Sequence, residues 1–342
     1  MSCKEIYPWQ ANLLKHMYEI RKRLPHALLL RGCKGIGKFD FALQFTKSLL
    51  CSTPQMDGSA CGICQSCNWF MQNNHPDFRL LTPEQDSINE DDPTATAAIK
   101  IMRKSQISIL QVRELENFFA LSSHHSGGHR IVLIHPAEAL NAASANALLK
   151  VLEEPPPDVI FILVTHQPQR LLATITSRCQ KIDMPVPDAA LAIKWLQENG
   201  LTDATLRLSY AGGSPLSVLS EATEGYQALT VISQMLMLGA RLDPFITAPK
   251  CLALGMELAI NTLQKWIYDL INCRLVGEVR YNIQHIKALQ ALAKSVNLSR
   301  LFDFQRKLND AQKSATHPLN HELQLEELLL QYTQTFLAHM PS

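Results

Sequence analysis

Two short stretches of this chain carry residue types and spacings able to do chemistry, and both lie in its first 70 residues. The first is Gly32-Cys33-Lys34-Gly35-Ile36-Gly37-Lys38-Phe39. Its glycines let backbone N–H groups turn towards phosphate oxygens, and a helix opening behind them adds partial positive charge. Lys38 stands where a phosphate-contacting lysine belongs. The next position should carry Ser or Thr to ligate Mg²⁺, but it carries Phe39, which has no oxygen. The second stretch is Cys51, Cys61, Cys64 and Cys67, spaced C-x9-C-x2-C-x2-C. Four thiolates complete a tetrahedral Zn²⁺ shell with no open position, so zinc here is expected to be structural. Gly62 suits the tight turn between the second and third ligands. An iron–sulfur cluster is the rival reading, but Asn68 rather than Pro follows the last cysteine. Cys3, Cys33, Cys179, Cys251 and Cys273 are isolated and read as buried free thiols.

These groups need a scaffold. The apolar runs 26–30, 77–81, 130–134 and 159–165 read as buried strands. Between them, Leu13, Leu14, Met17 and Ile20 fall at helical spacing, as do Ile109 to Phe119. Helices are also expected over Phe39 to Leu50 and Ala142 to Glu153, the second stopped by Pro155-Pro156-Pro157. Alternating strands and helices predict a parallel sheet covered on both faces. The polar segment 82–105 reads as a loop, and Gly127-Gly128 as the turn into the third strand. Beyond Pro185 and Pro187 the pattern is helical throughout, ending in a helix with Leu323, Leu325, Leu328, Leu329 and Tyr332. The expected division is an α/β domain over 1–185 with an inserted zinc module at 51–67, a small helical domain over 186–227, and an all-α domain over 228–342.

The scaffold predicts where a second ATPase part should stand. In P-loop ATPases a strand ends in an Asp that helps hold the metal, often followed by a water-activating Glu. Here Ile131-Val132-Leu133-Ile134 runs into His135-Pro136-Ala137-Glu138. Neither expected position is acidic, and Glu138 arrives on the following turn. With the hydroxyl and the carboxylate both missing, the loop at Gly32, Gly35, Gly37 and Lys38 reads as degenerate, and ATP/Mg²⁺ is not expected to be hydrolysed.

Composition limits the remaining classes. The 342 residues include 32 Lys+Arg and 31 Asp+Glu, a formal net charge of +1, which argues against a protein that grips DNA alone. A stand-alone zinc-dependent DNA-binding protein is disfavoured on that ground. The basic clusters Arg21-Lys22-Arg23 and Lys100-Arg103-Lys104 read as solvated surface. The polar start of the chain, without a signal-peptide core or an apolar span, points to the cytoplasm.

Several strings are specific enough to suggest a family. They are Tyr7-Pro8-Trp9, the cysteines placed after the glycine-loop helix, His75-Pro76-Asp77, Asn146-Ala147-Leu148-Leu149-Lys150-Val151-Leu152-Glu153-Glu154-Pro155-Pro156 and Thr174-Ile175-Thr176-Ser177-Arg178-Cys179. In this order they resemble the delta-prime family of bacterial DNA polymerase III clamp-loader subunits, AAA+ proteins sister to gamma/tau. Asn320 to Leu330 extends the likeness more weakly.

The resemblance implies an AAA+ domain with a zinc module, a helical lid and a C-terminal collar. It implies a hetero-pentamer with gamma/tau and delta that loads the beta sliding clamp onto primed DNA. It also implies that Arg178 reaches in trans to a neighbouring gamma/tau ATP site as an arginine finger. Thr165 falls at the sensor-1 position. Gly213-Ser214-Pro215-Leu216 lacks the lid arginine of active relatives. The helix 141–152 lies where relatives approach DNA, although its leucines describe a core face. An ATP-hydrolysing, gamma-like motor is the alternative reading.

Overall fold

The computed structural model describes residues 6–83, 106–120, 128–220, 223–314 and 320–336. Most of the segment 82–105, with Lys100, Arg103 and Lys104, lies outside the described residues, as do Cys3 and Gly127. The chain divides into two compact units, Met1–Leu191 and Ala192–Ser342.

The first unit is built on five parallel strands: β1 (Ala27–Arg31), β2 (Phe78–Leu81), β3 (Arg130–Ile134), β4 (Val159–Thr165) and β5 (Gln180–Asp183). Their order in the sheet is β2-β3-β4-β1-β5. The central β4 is buried at every position, as expected for a strand with helices on both faces. The period of two distributes its side chains. Ile160, Ile162 and Val164 point to one face with Leu28, Leu30, Ile131 and Leu133, beneath the helices Ala11–Ile20 and Lys38–Leu50. Val159, Phe161 and Leu163 point to the other with Ala27, Leu29, Val132 and Ile134, beneath Ile109–Ala120 and Ala142–Glu153.

The four strands and four helices read from the sequence of this unit are present within a residue or so of their expected ends. Beyond short single turns, three elements are additional: the helix Gln65–Met71, the short helix Ala173–Arg178 and the edge strand β5. β5 buries only Ile182, so it has no apolar run to reveal it. Arg178 closes the short helix that leads into β5.

The second unit is entirely helical among its described residues. Ala192, Leu196, Ala204, Leu208 and Val218 form a small hydrophobic cluster. A larger one centres on the helix Met256–Leu275 and includes Trp266, Leu289, Leu301, Phe304 and Tyr332. Asp269, fully buried, accepts hydrogen bonds from the backbone N–H groups of Arg280, Tyr281 and Asn282, so the turn after the long helix is fixed by a carboxylate.

Candidate functional site

Three groups of residues follow from the sequence, and all three lie in the first unit. The glycine loop joins β1 to the helix Lys38–Leu50. Gly37 sits at φ 85°, and a Cβ there would lie 2.5 Å from the Tyr7 ring, so glycine is required twice over. The Tyr7-Pro8-Trp9 string braces the loop from outside. Trp9 Nε1 and Gln10 Nε2 both donate to Ile36 O, at 3.0 and 2.8 Å, and the Tyr7 hydroxyl donates to Asp40 Oδ2 at 2.9 Å.

Lys38 is buried and turned onto its own loop. Its Nζ donates to Gly32 O at 2.8 Å and to Cys33 O at 2.5 Å. Burial draws its pKa from 10.5 down to about 8, against the opposing charges of Cys33 and Glu138. The position next to it is filled by rings. Phe39 stacks on His135 with centroids 4.4 Å apart, and His166 meets His135 edge-on at 5.3 Å. Burial lowers both imidazoles to about 4, helped by the other histidine and Lys38 at His135 and by Lys38 at His166. Where a Mg²⁺ hydroxyl and a metal-side carboxylate would stand, the loop is therefore faced by an aromatic stack of neutral rings.

Glu138 lies on the turn after β3, as the sequence suggested. It is nonetheless directed back to this site: its Oε1 accepts from His166 N at 3.0 Å, and its charge acts on Lys38. Thr165 is buried at the end of β4, opposite Arg31 in the register, and its Oγ1 accepts from Gln167 N at 3.1 Å. The sequence reading missed His166. The available signal was a pair of histidines, His135 and His166, each just past the end of a fully buried strand.

The cysteines converge. Cys51 ends the glycine-loop helix, Cys64 caps the helix Gln65–Met71, and Cys67 lies within it. Ligand atoms of Cys51, Cys61, Cys64 and Cys67 all lie within 4.8 Å of one another. Zn–S bonds of about 2.3 Å imply a tetrahedral edge of about 3.8 Å, and the Cys51 and Cys64 sulfurs are 3.8 Å apart. A multi-iron cluster needs room for its irons and sulfides between the thiolates, so this spacing suits one metal ion.

The surroundings favour thiolates at Cys61 and Cys64, whereas burial pushes the thiols of Cys51 and Cys67 up. Backbone N–H groups of Cys61, Cys64 and Cys67 point at the sulfurs of Cys51, Cys61 and Cys64 at 3.3, 3.3 and 3.4 Å. The Thr53 hydroxyl, with the backbone N–H groups of Ile63 and Cys64, draws Cys61 down to about 6. Gly62 adopts φ 78°, as the tight turn requires. Arg21, expected as plain surface, donates to Gly58 O at 3.4 Å and so ties this loop to the first helix. Of the isolated cysteines, Cys179, Cys251 and Cys273 are buried, but Cys33 is exposed, on the glycine loop, where its backbone carbonyl accepts from Lys38.

Arg178 lies on the other side of the sheet from the cysteines. Ile175 and Cys179 anchor its short helix in the core beneath Ala142–Glu153. Its guanidinium stays outside, with the side chain 34% exposed. Nη1 donates to Thr174 O at 2.9 Å and Nη2 to Glu153 Oε1 at 2.7 Å. A cation at a helix C-terminus also suits the helix dipole.

The sheet order, the glycine loop after β1, the four-cysteine cluster and the helical second unit together define a clamp-loader-like α/β fold of the AAA+ type. Comparison with known proteins makes this particular. A family profile described as "DNA polymerase III, delta subunit" matches residues 8–188, and one described as its C-terminal part matches residues 226–334. The chain is 32% identical to the DNA polymerase III subunit delta' of Pseudomonas aeruginosa, over 96% of this chain and 97% of that protein. It is 40% identical to the Yersinia pestis subunit over 50% of this chain and 45% of that one, and 35% identical to the Escherichia coli K12 subunit over 57% and 54%. The chain belongs to the DNA polymerase III delta' subunit family.

Proposed function

We propose that this chain is the non-hydrolysing member of a clamp loader and lends Arg178 to the ATP site of a neighbouring gamma/tau subunit. The observation that carries the reading is the contrast between the two sites. At the glycine loop Lys38 is satisfied by its own carbonyls, and Phe39, His135 and His166 fill the metal side. At the surface Arg178 holds out a guanidinium that its own glycine loop does not use. A planar guanidinium can neutralise charge on a γ-phosphate, an effect worth roughly 10³–10⁵ in rate where arginine fingers have been measured.

In this reading the chain assembles with gamma/tau and delta as a hetero-pentamer in the cytoplasm. The complex opens the beta sliding clamp and places it on primed DNA, while nucleotide transfer belongs to the polymerase subunits. Residues 1–185 form the AAA+ domain, 186–227 the lid and 228–342 the collar. The separate hydrophobic clusters around Leu196 and around Trp266 support dividing the helical part in two. Cys51, Cys61, Cys64 and Cys67 would hold one Zn²⁺, which supplies a cross-link between the loop 51–64 and the helix behind it and no reactive position.

The test is a reconstituted loader. Arg178→Ala is expected to leave assembly intact and to cut the ATPase stimulated by clamp and primed DNA by about tenfold or more, a floor set well under the roughly 10³–10⁵ of measured arginine fingers. Unchanged ATPase would remove Arg178 from this role. Steady Mg²⁺-ATP turnover by the isolated chain would instead favour the gamma-like motor.

A further inference from the structure

The ion pair between Arg178 and Glu153 has a bearing on how such a finger is held. Glu153 is the last residue of the helix Ala142–Glu153, and Arg178 is the last of Ala173–Arg178. The two backbones are fixed: Leu148, Leu152, Ile175 and Cys179 are all buried in one hydrophobic cluster. The side chains are not. They are 50% and 34% exposed and meet at 2.7 Å in solvent. The second guanidinium contact, to Thr174 O at 2.9 Å, comes from within Arg178's own helix and orients the group without neutralising it.

Resting on the reading of Arg178 as a finger acting in trans, we infer that Glu153 is a positioning residue that parks the Arg178 guanidinium on a carboxylate until a phosphate displaces it. A guanidinium offers its planar fork to carboxylates and phosphates with the same geometry. The Nη2 donor bonded to Glu153 is therefore withdrawn from a neighbouring phosphate, and the two anions compete. The competition is weak by design of its surroundings. An exposed pair of this kind shifts a population by up to about fivefold, so Glu153 lowers the fraction of ready fingers without locking them. A phosphate carrying several charges, closed in by an assembled interface, outcompetes a solvated carboxylate. The contact thus restrains ATP turnover chiefly when the neighbouring site is poorly closed.

The reconstituted loader tests this with three versions of the full-length chain: Glu153→Gln, Arg178→Ala and the double variant. ATPase is measured with and without clamp and primed DNA, separating kcat from KM. Glu153→Gln is expected to raise the unstimulated kcat by about two- to fivefold and leave the stimulated kcat unchanged, so the stimulation ratio falls. The double variant is expected to match Arg178→Ala. If Arg178→Ala depresses the stimulated rate but Glu153→Gln leaves the unstimulated rate unchanged or lower, parking is wrong and the finger stands. An unstimulated rate raised equally in the Arg178→Ala background would also overturn it, since Glu153 would then act without the arginine. If Arg178→Ala changes nothing, the finger and its parking contact fail together.

Discussion

A single oxygen holds together three helices of the second unit, and removing it should be measurable. The Tyr332 hydroxyl donates to Leu236 O at 2.6 Å and accepts from Trp266 Nε1 at 2.9 Å, with both aromatic residues fully buried. Tyr332→Phe deletes that oxygen and little else. It strands one indole N–H and one helix-end carbonyl, and each buried orphan costs about 1–3 kcal/mol. Part of the loss is offset because the hydroxyl itself no longer needs desolvating, so the net cost is about 2–4 kcal/mol. Domain stabilities of about 5–15 kcal/mol make that a large fraction. It corresponds to a fall in melting temperature of roughly 5–12 °C. Urea denaturation followed by tryptophan fluorescence reads the change, and Trp266, one of 4 tryptophans, reports directly on the altered partner. A loss below about 1 kcal/mol with an unchanged denaturant slope would refute the reasoning, since the relay would then contribute no more than an ordinary surface contact.

The other expectations concern the first unit. Purified chain should contain about one Zn²⁺, the number a complete four-thiolate shell holds. Cys64→Ser should lower that content as read by metal analysis, and strong chelation should release it as measured with a colorimetric zinc indicator. Metal content unaffected by the substitution would argue against the cluster. Acid should weaken the fold through the ring stack. His135 and His166 titrate near 4 when folded but near 6.5 in an open chain, so the unfolded state takes up protons first and stability falls as pH drops from about 6.5 to about 4. The loss is at most about 3 kcal/mol at His135 and smaller at the more exposed His166, where solvent screens the interaction, and His135→Phe should flatten that part of a stability-versus-pH curve. An unaltered slope in the variant would place the acid sensitivity elsewhere.

Much of this was legible from residue order because the chemistry of local elements is local. A strand buried on both faces must be apolar at every position, so Val159–Thr165 declared itself. A helix cannot run through Pro155-Pro156-Pro157, so the end at Glu153 was equally plain. The missing hydroxyl at Phe39 and the missing carboxylate at His135 are matters of residue identity, and the four-thiolate set is one of spacing. β5 and the helix before it escaped because an edge strand with one buried side chain leaves no periodic signal.

Only tertiary structure decided what fills the gaps those absences leave. That Phe39 stacks on His135, that His166 closes the stack and that Glu138 turns back towards Lys38 follow from β3 and β4 pairing side by side in register. The pairing of Arg178 with Glu153, 25 residues apart, follows from two helices sharing one face of the sheet. Sequence spacing fixes which side of its own element a residue occupies, because backbone geometry repeats every 2 or about 3.6 residues. It does not fix which element lies alongside, because that depends on strand order and on burying both faces of the sheet at once.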